Sequence, residues 1–144
     1  MKDYPGRILG IDYGTKRVGV SLSDPMRIIS QGVGTLDNDA QLLERLKGIV
    51  EKEGAAMIVV GMPYSADGGK GGKAMEVEEF ITRLRGAVAV EIDTWDESYS
   101  SVNAHQAFID GGMKRKQRRE KHRVDEMAAR LMLQEYLDNQ GHRL

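Results

Sequence analysis

Apolar residues along the chain change period several times, and each change marks an element. Ile8 to Ile11 and Val18 to Leu22 are short apolar runs on either side of a polar turn that begins at Asp12. Such runs joined by a glycine-bearing turn predict a β-hairpin. Met26 to Leu36 keeps Ile28, Ile29, Val33 and Leu36 apolar but is interrupted by Gly32 and Gly34. It predicts a third strand, bent or at a sheet edge. Leu42, Leu43, Leu46, Ile49 and Val50 then recur at helical spacing. They predict a helix to about Glu53, capped by Asp37, Asn38 or Asp39 and ended by Gly54.

Ala55 to Val60 is apolar without alternation, the pattern of a strand covered on both faces. Pro63 ends it, and Ser65 to Lys73 reads as a glycine-dense loop. Neither Lys70 nor Lys73 has the spacing or the following Ser or Thr of a Walker A phosphate loop. Ala74, Val77, Phe80, Ile81 and Leu84 predict an amphipathic helix that closes near Gly86. Val88, Val90 and Ile92 alternate with Ala89, Glu91 and Asp93, as in a strand with one wetter face, ending in Thr94-Trp-Asp-Glu97. Ser98 to Ile109 predicts a helix broken at Gly111-Gly112, and Val124 to Leu137 a long one. On that last helix Asp125 shares a line with Ala129, Met132 and Tyr136, at the edge of the packed face. The order β-β-β-α-β-α-β-α-α predicts an α/β fold. Its sheet is mixed and five-stranded, three antiparallel strands followed by two parallel ones, with helices on both faces.

Composition changes this picture little. A chain of 144 residues, 40% hydrophobic and 30% charged, suits one domain over 1–144 with a real core. No apolar run approaches a membrane span and no secretory signal opens the chain, so no membrane partner is expected and the cytoplasm is the expected location. With no Cys there is no disulfide framework and no thiolate metal site.

Charge adds more. Lys114 to Arg123 holds seven of the 21 Lys and Arg and one of the 22 acids, leaving a remainder of net −7. A basic block on an acidic body points to a polyanionic partner, nucleic acid above all. A solvated helix face or loop accounts for such a run equally simply.

Three acids stand at informative places: Asp12 at the end of the first strand, Glu97 at the end of the last, and Asp125 on the final helix. Each has a plain structural role open to it, as a turn residue, a helix-start acid or an ion-pair partner. Jointly they suggest a site, because chemistry in open α/β sheets gathers outside the carboxyl ends of parallel strands. Three converging carboxylates need cations. Hard Mg²⁺ or Mn²⁺ is the natural choice where Cys is absent and only three His are present. Two such ions can activate water and stabilise the leaving oxygen in phosphodiester hydrolysis. Lys16 and Arg17 stand beside Asp12 as phosphate-steering cations.

These residues carry a resemblance. Leu9-Gly-Ile-Asp-Tyr-Gly-Thr-Lys-Arg-Val-Gly-Val20 comes first, then Val60-Gly-Met-Pro63 with Asp67-Gly68, then Asp96-Glu97. Val124-Asp-Glu-Met-Ala-Ala129 leads to Leu133-Gln-Glu-Tyr-Leu137 at the end. Over nearly the whole chain, in order and spacing, these resemble the YqgF/RuvX family. That family is described both as Holliday junction resolvases and as pre-16S rRNA nucleases of ribosome biogenesis. The resemblance implies a ribonuclease H-like fold and a hydrolase, an endo- or exonuclease, with Asp12, Glu97 and Asp125 as catalytic metal ligands. It departs where the family reads Asp-Glu-Arg-Leu-Thr-Thr and this chain reads Asp96-Glu-Ser-Tyr-Ser-Ser101. Ser98 removes a bidentate phosphate-binding group there. Ser100 and Ser101 keep the hydroxyls, and Ser21 stands where Ala is common.

The expected function is therefore a metal-dependent nuclease on structured nucleic acid, in maturation of the 5′ end of pre-16S rRNA. Lys16, Arg17, Ser100, Ser101, Lys114, Arg115, Lys116, Arg118 and Arg119 are the expected substrate contacts. Their binding would be salt-sensitive and largely sequence-independent. Resolution of branched DNA stays open and would call for a symmetric dimer, whereas RNA trimming would not, so monomer and dimer both stay open. A non-catalytic ribosome-associated factor is the reading from another class. Asp12-Tyr-Gly-Thr-Lys16 also resembles the phosphate hairpin of the actin and sugar-kinase group, but 144 residues leave no room for that group's second domain. Of the aromatic residues near the acids, Tyr13, Tyr64 and Tyr99 are candidates to stack on bases, while Trp95 is expected in the core.

Overall fold

The computed structural model describes residues 4–63, 72–96 and 117–140, and within the last of these the side chains of 125–139. Five strands form one sheet: β1 (Arg7–Asp12), β2 (Arg17–Ser23), β3 (Ser30–Asp37), β4 (Ala55–Met62) and β5 (Glu91–Asp96). Among the described residues three helices accompany them: α1 (Leu42–Glu53), α2 (Gly72–Ala87) and α3 (Gln117–Gln140). The spatial order is β3-β2-β1-β4-β5. β1 to β3 pair antiparallel, and β1–β4 and β4–β5 pair parallel.

Alternation along the central strands divides the core in two. Leu9, Ile11, Val18, Val20, Ile58 and Val60 meet the buried faces of α1 and α2, including Leu46, Val77, Phe80 and Leu84. Ile8, Met57 and Val59 point the other way, against Met132, Leu133, Tyr136 and Leu137 of α3. β4 is buried at seven of its eight positions, as a strand without alternation should be. Gly54 ends α1 in the left-handed region, with its N–H on the carbonyl of Val50.

Small residues set the distance between α3 and the sheet. On its α3-facing side the antiparallel half carries Gly10, Gly19, Ser21 and Gly32. A Cβ on Gly10 would stand 3.0 Å from the Cβ of Leu133, and one on Gly32 would meet the Glu126 side chain. The fully buried Ser21 donates its hydroxyl to the carbonyl of Ala129 at 2.9 Å. The hydroxyl that replaces the family's common Ala thus ties sheet to helix.

Several boundaries differ from the expectation. Met26 to Ile29 precede the third strand instead of joining it, because Asp24 withdraws their backbone donors. Its carboxylate accepts the N–H groups of Met26, Ile28 and Ile29. The strand that follows is an edge, as its glycines suggested. None of the three expected caps is the N-cap of α1. That position is Gln41, and Asp39 lies two residues upstream, accepting the Gln41 N–H at 2.9 Å. Lys73 belongs to α2 and not to the loop. Val88 and Val90 lead into β5 while still packing on the core. The last helix starts at Gln117, inside the basic block, with Asp125 on the packed line as expected. The glycine-dense loop over 65–71 and the helix expected over 98–109 lie outside the described residues. No helix among the described residues is long and apolar enough to cross a membrane.

Candidate active site

Asp12 is the last residue of β1 and is only 9% exposed. Counting along β1 from Ile8, which meets α3, residues 10 and 12 share the same face. The register sets Asp12 opposite Gly19 on β2. A Cβ on Gly19 would fall on the backbone carbonyl oxygen of Asp125, so that turn of α3 lies directly on the sheet beside Asp12. Two of the three expected acids are thereby brought together from positions far apart in the chain.

Arg17 completes this cluster. Its Nε donates to Asp125 Oδ2 at 2.9 Å, with both side chains about a quarter exposed, at 25% and 29%. The pair engages one oxygen of the Asp125 carboxylate and leaves the other for further partners. Lys16, the neighbouring cation, is exposed.

The turn that carries these cations is braced. A Cβ on Gly14 would collide with the carbonyl of Arg17, so the reversal needs glycine there. Asn38 donates its side-chain amide to the Gly14 carbonyl at 2.8 Å and its backbone N–H to the Lys16 carbonyl at 3.0 Å. Tyr13 stacks on Phe80 of α2, ring centroids 4.4 Å apart, fixing turn and helix relative to each other. That contact and its burial also remove Tyr13 from the candidates for base stacking. Between the turn and the first residues of α2 runs an open groove of about 530 Å³ that Asp125 also lines.

β5 brings the chain to the same edge. Ile11 lies beside Val60, and Val60 beside Thr94, so β5 ends level with Asp12, two strands and roughly 10 Å away. Trp95 packs edge-on against Tyr136 at 5.8 Å and donates to Glu135, and the Tyr136 hydroxyl donates to Asp93 at 2.7 Å. Trp95 is accordingly a packing residue. Glu97, Ser98, Tyr99, Ser100, Ser101, Lys114, Arg115, Lys116 and Tyr64 lie outside the described residues. Arg118 and Arg119 are on α3, where only the backbone is described.

Among the described residues no three His, Asp or Glu side chains are grouped to hold a metal ion. The donor chemistry nevertheless fits a hard cation: Asp12 and the Asp125 turn of α3 lie at one end of the sheet, on either side of Gly19, and the strand leading to Glu97 ends there as well. The sequence pattern singled out the acids but not Gly19, which seats α3 beside Asp12, nor Asn38 as the brace of the turn, nor Lys73 and Glu76 as lining of the groove. For Gly19 a signal existed in the run of small residues at alternate positions of a strand.

Known proteins resemble this chain throughout its length. A protein of Phocaeicola vulgatus named "Putative pre-16S rRNA nuclease" is 40% identical over 134 residues, covering 92% of this chain and 96% of its own. One of Chlorobaculum tepidum with the same name is 42% identical over 134 residues, covering 92% and 94%. Among solved structures, Thermus thermophilus RuvC in complex with Holliday junction substrate superposes with a TM-score of 0.59 at 12% identity, covering 95% of this chain and 96% of that one. The yeast mitochondrial Holliday junction resolvase Ydc2 gives 0.58 at 13% identity, covering 96% and 80%. The fold is thus the ribonuclease H-like fold of RuvC-type resolvases. Residues 6–139 match the model of the family described as "RuvX: Holliday junction resolvase", and the chain belongs to that family, RuvX (YqgF).

Proposed function

We propose that this protein is a metal-dependent nuclease, a single cytoplasmic domain that matures the 5′ end of pre-16S ribosomal RNA. The observation that supports the reading is the placement of the Asp125 turn of α3 over Gly19, the cross-strand partner of Asp12, with Arg17 paired to Asp125 and Lys16 lining the same groove. The names of its relatives support ribosomal RNA as the substrate.

Phosphodiester hydrolysis adds water to phosphorus and expels an alkoxide, so negative charge accumulates around the phosphate. Asp12, Asp125 and Glu97 would together hold Mg²⁺ or Mn²⁺, two such ions on this reading. When bound, such ions supply an activated water and stabilise the departing oxygen. The chain's own residues do the rest. The buried Asp12 offers a carboxylate fixed by the end of a central strand. Arg17, paired with Asp125, adds positive charge next to the phosphate. Lys16 draws the anionic strand to the turn. Ser100, Ser101 and the basic run Lys114, Arg115, Lys116, Arg118 and Arg119 would contact the substrate backbone.

The test compares wild-type protein with Asp12→Asn, in Mn²⁺, on a precursor 16S RNA and on a synthetic four-way DNA junction. The expected result is cleavage of the RNA, lost in Asp12→Asn with binding retained. Cleavage of the junction alone moves the substrate to branched DNA. Binding of either substrate with no cleavage by the wild type overturns the enzyme reading in favour of a ribosome-associated factor.

A further inference from the structure

The groove beside the acids contains residues to which the hydrolytic reading gives no task. The β1–β2 turn with Lys16 lines one side, the first turn of α2 with Lys73 and Glu76 lines another, and Asp125 lines it as well. Arg17 is already engaged by Asp125 at 2.9 Å. That leaves Lys16 and Lys73, both exposed and with no ion pair among the described residues, facing one carboxylate, Glu76. The local balance is cationic on a body that is otherwise acidic, and it lies next to the carboxylates proposed to cut.

The walls are rigid where it matters. Asn38 clamps the turn through Gly14 and Lys16, and the Tyr13–Phe80 stack joins the turn to α2. The two lysines are therefore held on backbones whose separation is set by the core. At about 530 Å³ the groove has room for a nucleotide or so of a strand.

We propose that this groove is a subsite for a nucleic-acid strand, in which Lys16 and Lys73 hold a backbone phosphate adjoining the bond cut at Asp12. It rests on the nuclease reading and adds Lys73 as a substrate-binding residue. Glu76 opposes the strand's charge and limits how tightly the segment is held, which suits a product that must leave. Phosphate is common to RNA and DNA, so the groove by itself treats both strands alike.

The experiment measures binding of a short labelled RNA strand, and of the DNA strand of the same sequence, to full-length protein carrying Asp12→Asn, over a series of salt concentrations. Adding Lys73→Ala is expected to weaken binding about two- to fivefold, the size of an exposed charge contact. The slope of log affinity against log salt should fall by about 0.7, one phosphate contact to a single strand. Lys73→Arg should keep the slope, and Glu76→Gln should tighten binding. Arg83→Ala, on the same helix but outside the groove, should change neither quantity. Equal losses on RNA and DNA support a phosphate subsite; a loss on RNA alone overturns it in favour of a contact to the 2′-hydroxyl. In the cleaving protein Lys73→Ala should raise KM and leave kcat.

Affinity and slope unchanged by Lys73→Ala would overturn the subsite. If Asp12→Asn still abolishes cleavage, the nuclease reading survives that failure. Conversely, binding that depends on Lys73 in a protein that never cleaves leaves the subsite standing and removes the nuclease.

Discussion

The carbonyl oxygen of Asp125 occupies the place where a Cβ of Gly19 would sit, and Gly19 is the cross-strand partner of Asp12. One missing side chain thus sets how closely the last helix approaches the first two strands, and with it the separation of two acids. Gly19→Ala has to lift α3 or bend β2. It should destabilise the fold by about 1–3 kcal/mol, the range for overpacking a filled site. Cleavage should fall further than the folded fraction does, because the acids part even in molecules that fold. Urea midpoints and activity measured on the same preparation check this.

Arg17 and the proposed metal compete for Asp125. Arg17→Gln removes the charge that neutralises this carboxylate, so Mn²⁺ should bind more tightly to the variant in calorimetry without substrate. Binding of a nucleic-acid strand should weaken at the same time. Stability should change by no more than about 1 kcal/mol, since the pair is partly open to solvent. Weaker Mn²⁺ binding in the variant would show that Arg17 instead orients Asp125 for the ion.

Asn38 touches no proposed ligand but clamps the turn that presents Lys16. Asn38→Ala should destabilise by about 1 kcal/mol, the ordinary worth of the side-chain hydrogen bond to Gly14. Strand affinity should drop although every lysine and arginine remains. Denaturation together with the salt series separates this from a lost charge: affinity falls while the salt slope stays near wild type.

The turn between β2 and β3 is built on an ionised Asp24. Burial pushes the Asp24 carboxyl upward, but the N–H groups of Ile29, Ile28 and Met26 together outweigh it and hold the group below the usual value of about 3.8. A depressed value means that the charged form is favoured on folding. The contribution is therefore complete above the unfolded value and is lost as pH falls through the lower, folded one. Asp24→Asn should lower stability at neutral pH and flatten the acid limb of the stability profile below about pH 4. Thermal midpoints from pH 7 down to 2 test it; parallel curves for the two proteins would refute it.

Local pattern carried much of this molecule. The hairpin, the buried β4, the stop at Gly54 and the line of Ala129, Met132 and Tyr136 beside Asp125 all follow from periods and glycine placement in short windows. Errors arose where a side chain redirected the backbone, as Asp24 does at the start of β3. The cap of α1 was another, since Asp39 satisfies a donor one step before the helix.

The sequence by itself determined that Asp12 ends a strand, that cations follow it, and that a second acid lies on the last helix. Those facts depend on neighbours a few residues apart, which periodicity records. Only the tertiary structure decided that Asp125 lies over Gly19, that Arg17 reaches it across 108 residues, and that Lys73 faces Lys16 over a groove. Such relations come from how closely two backbones can pack, and that distance is set by every side chain between them.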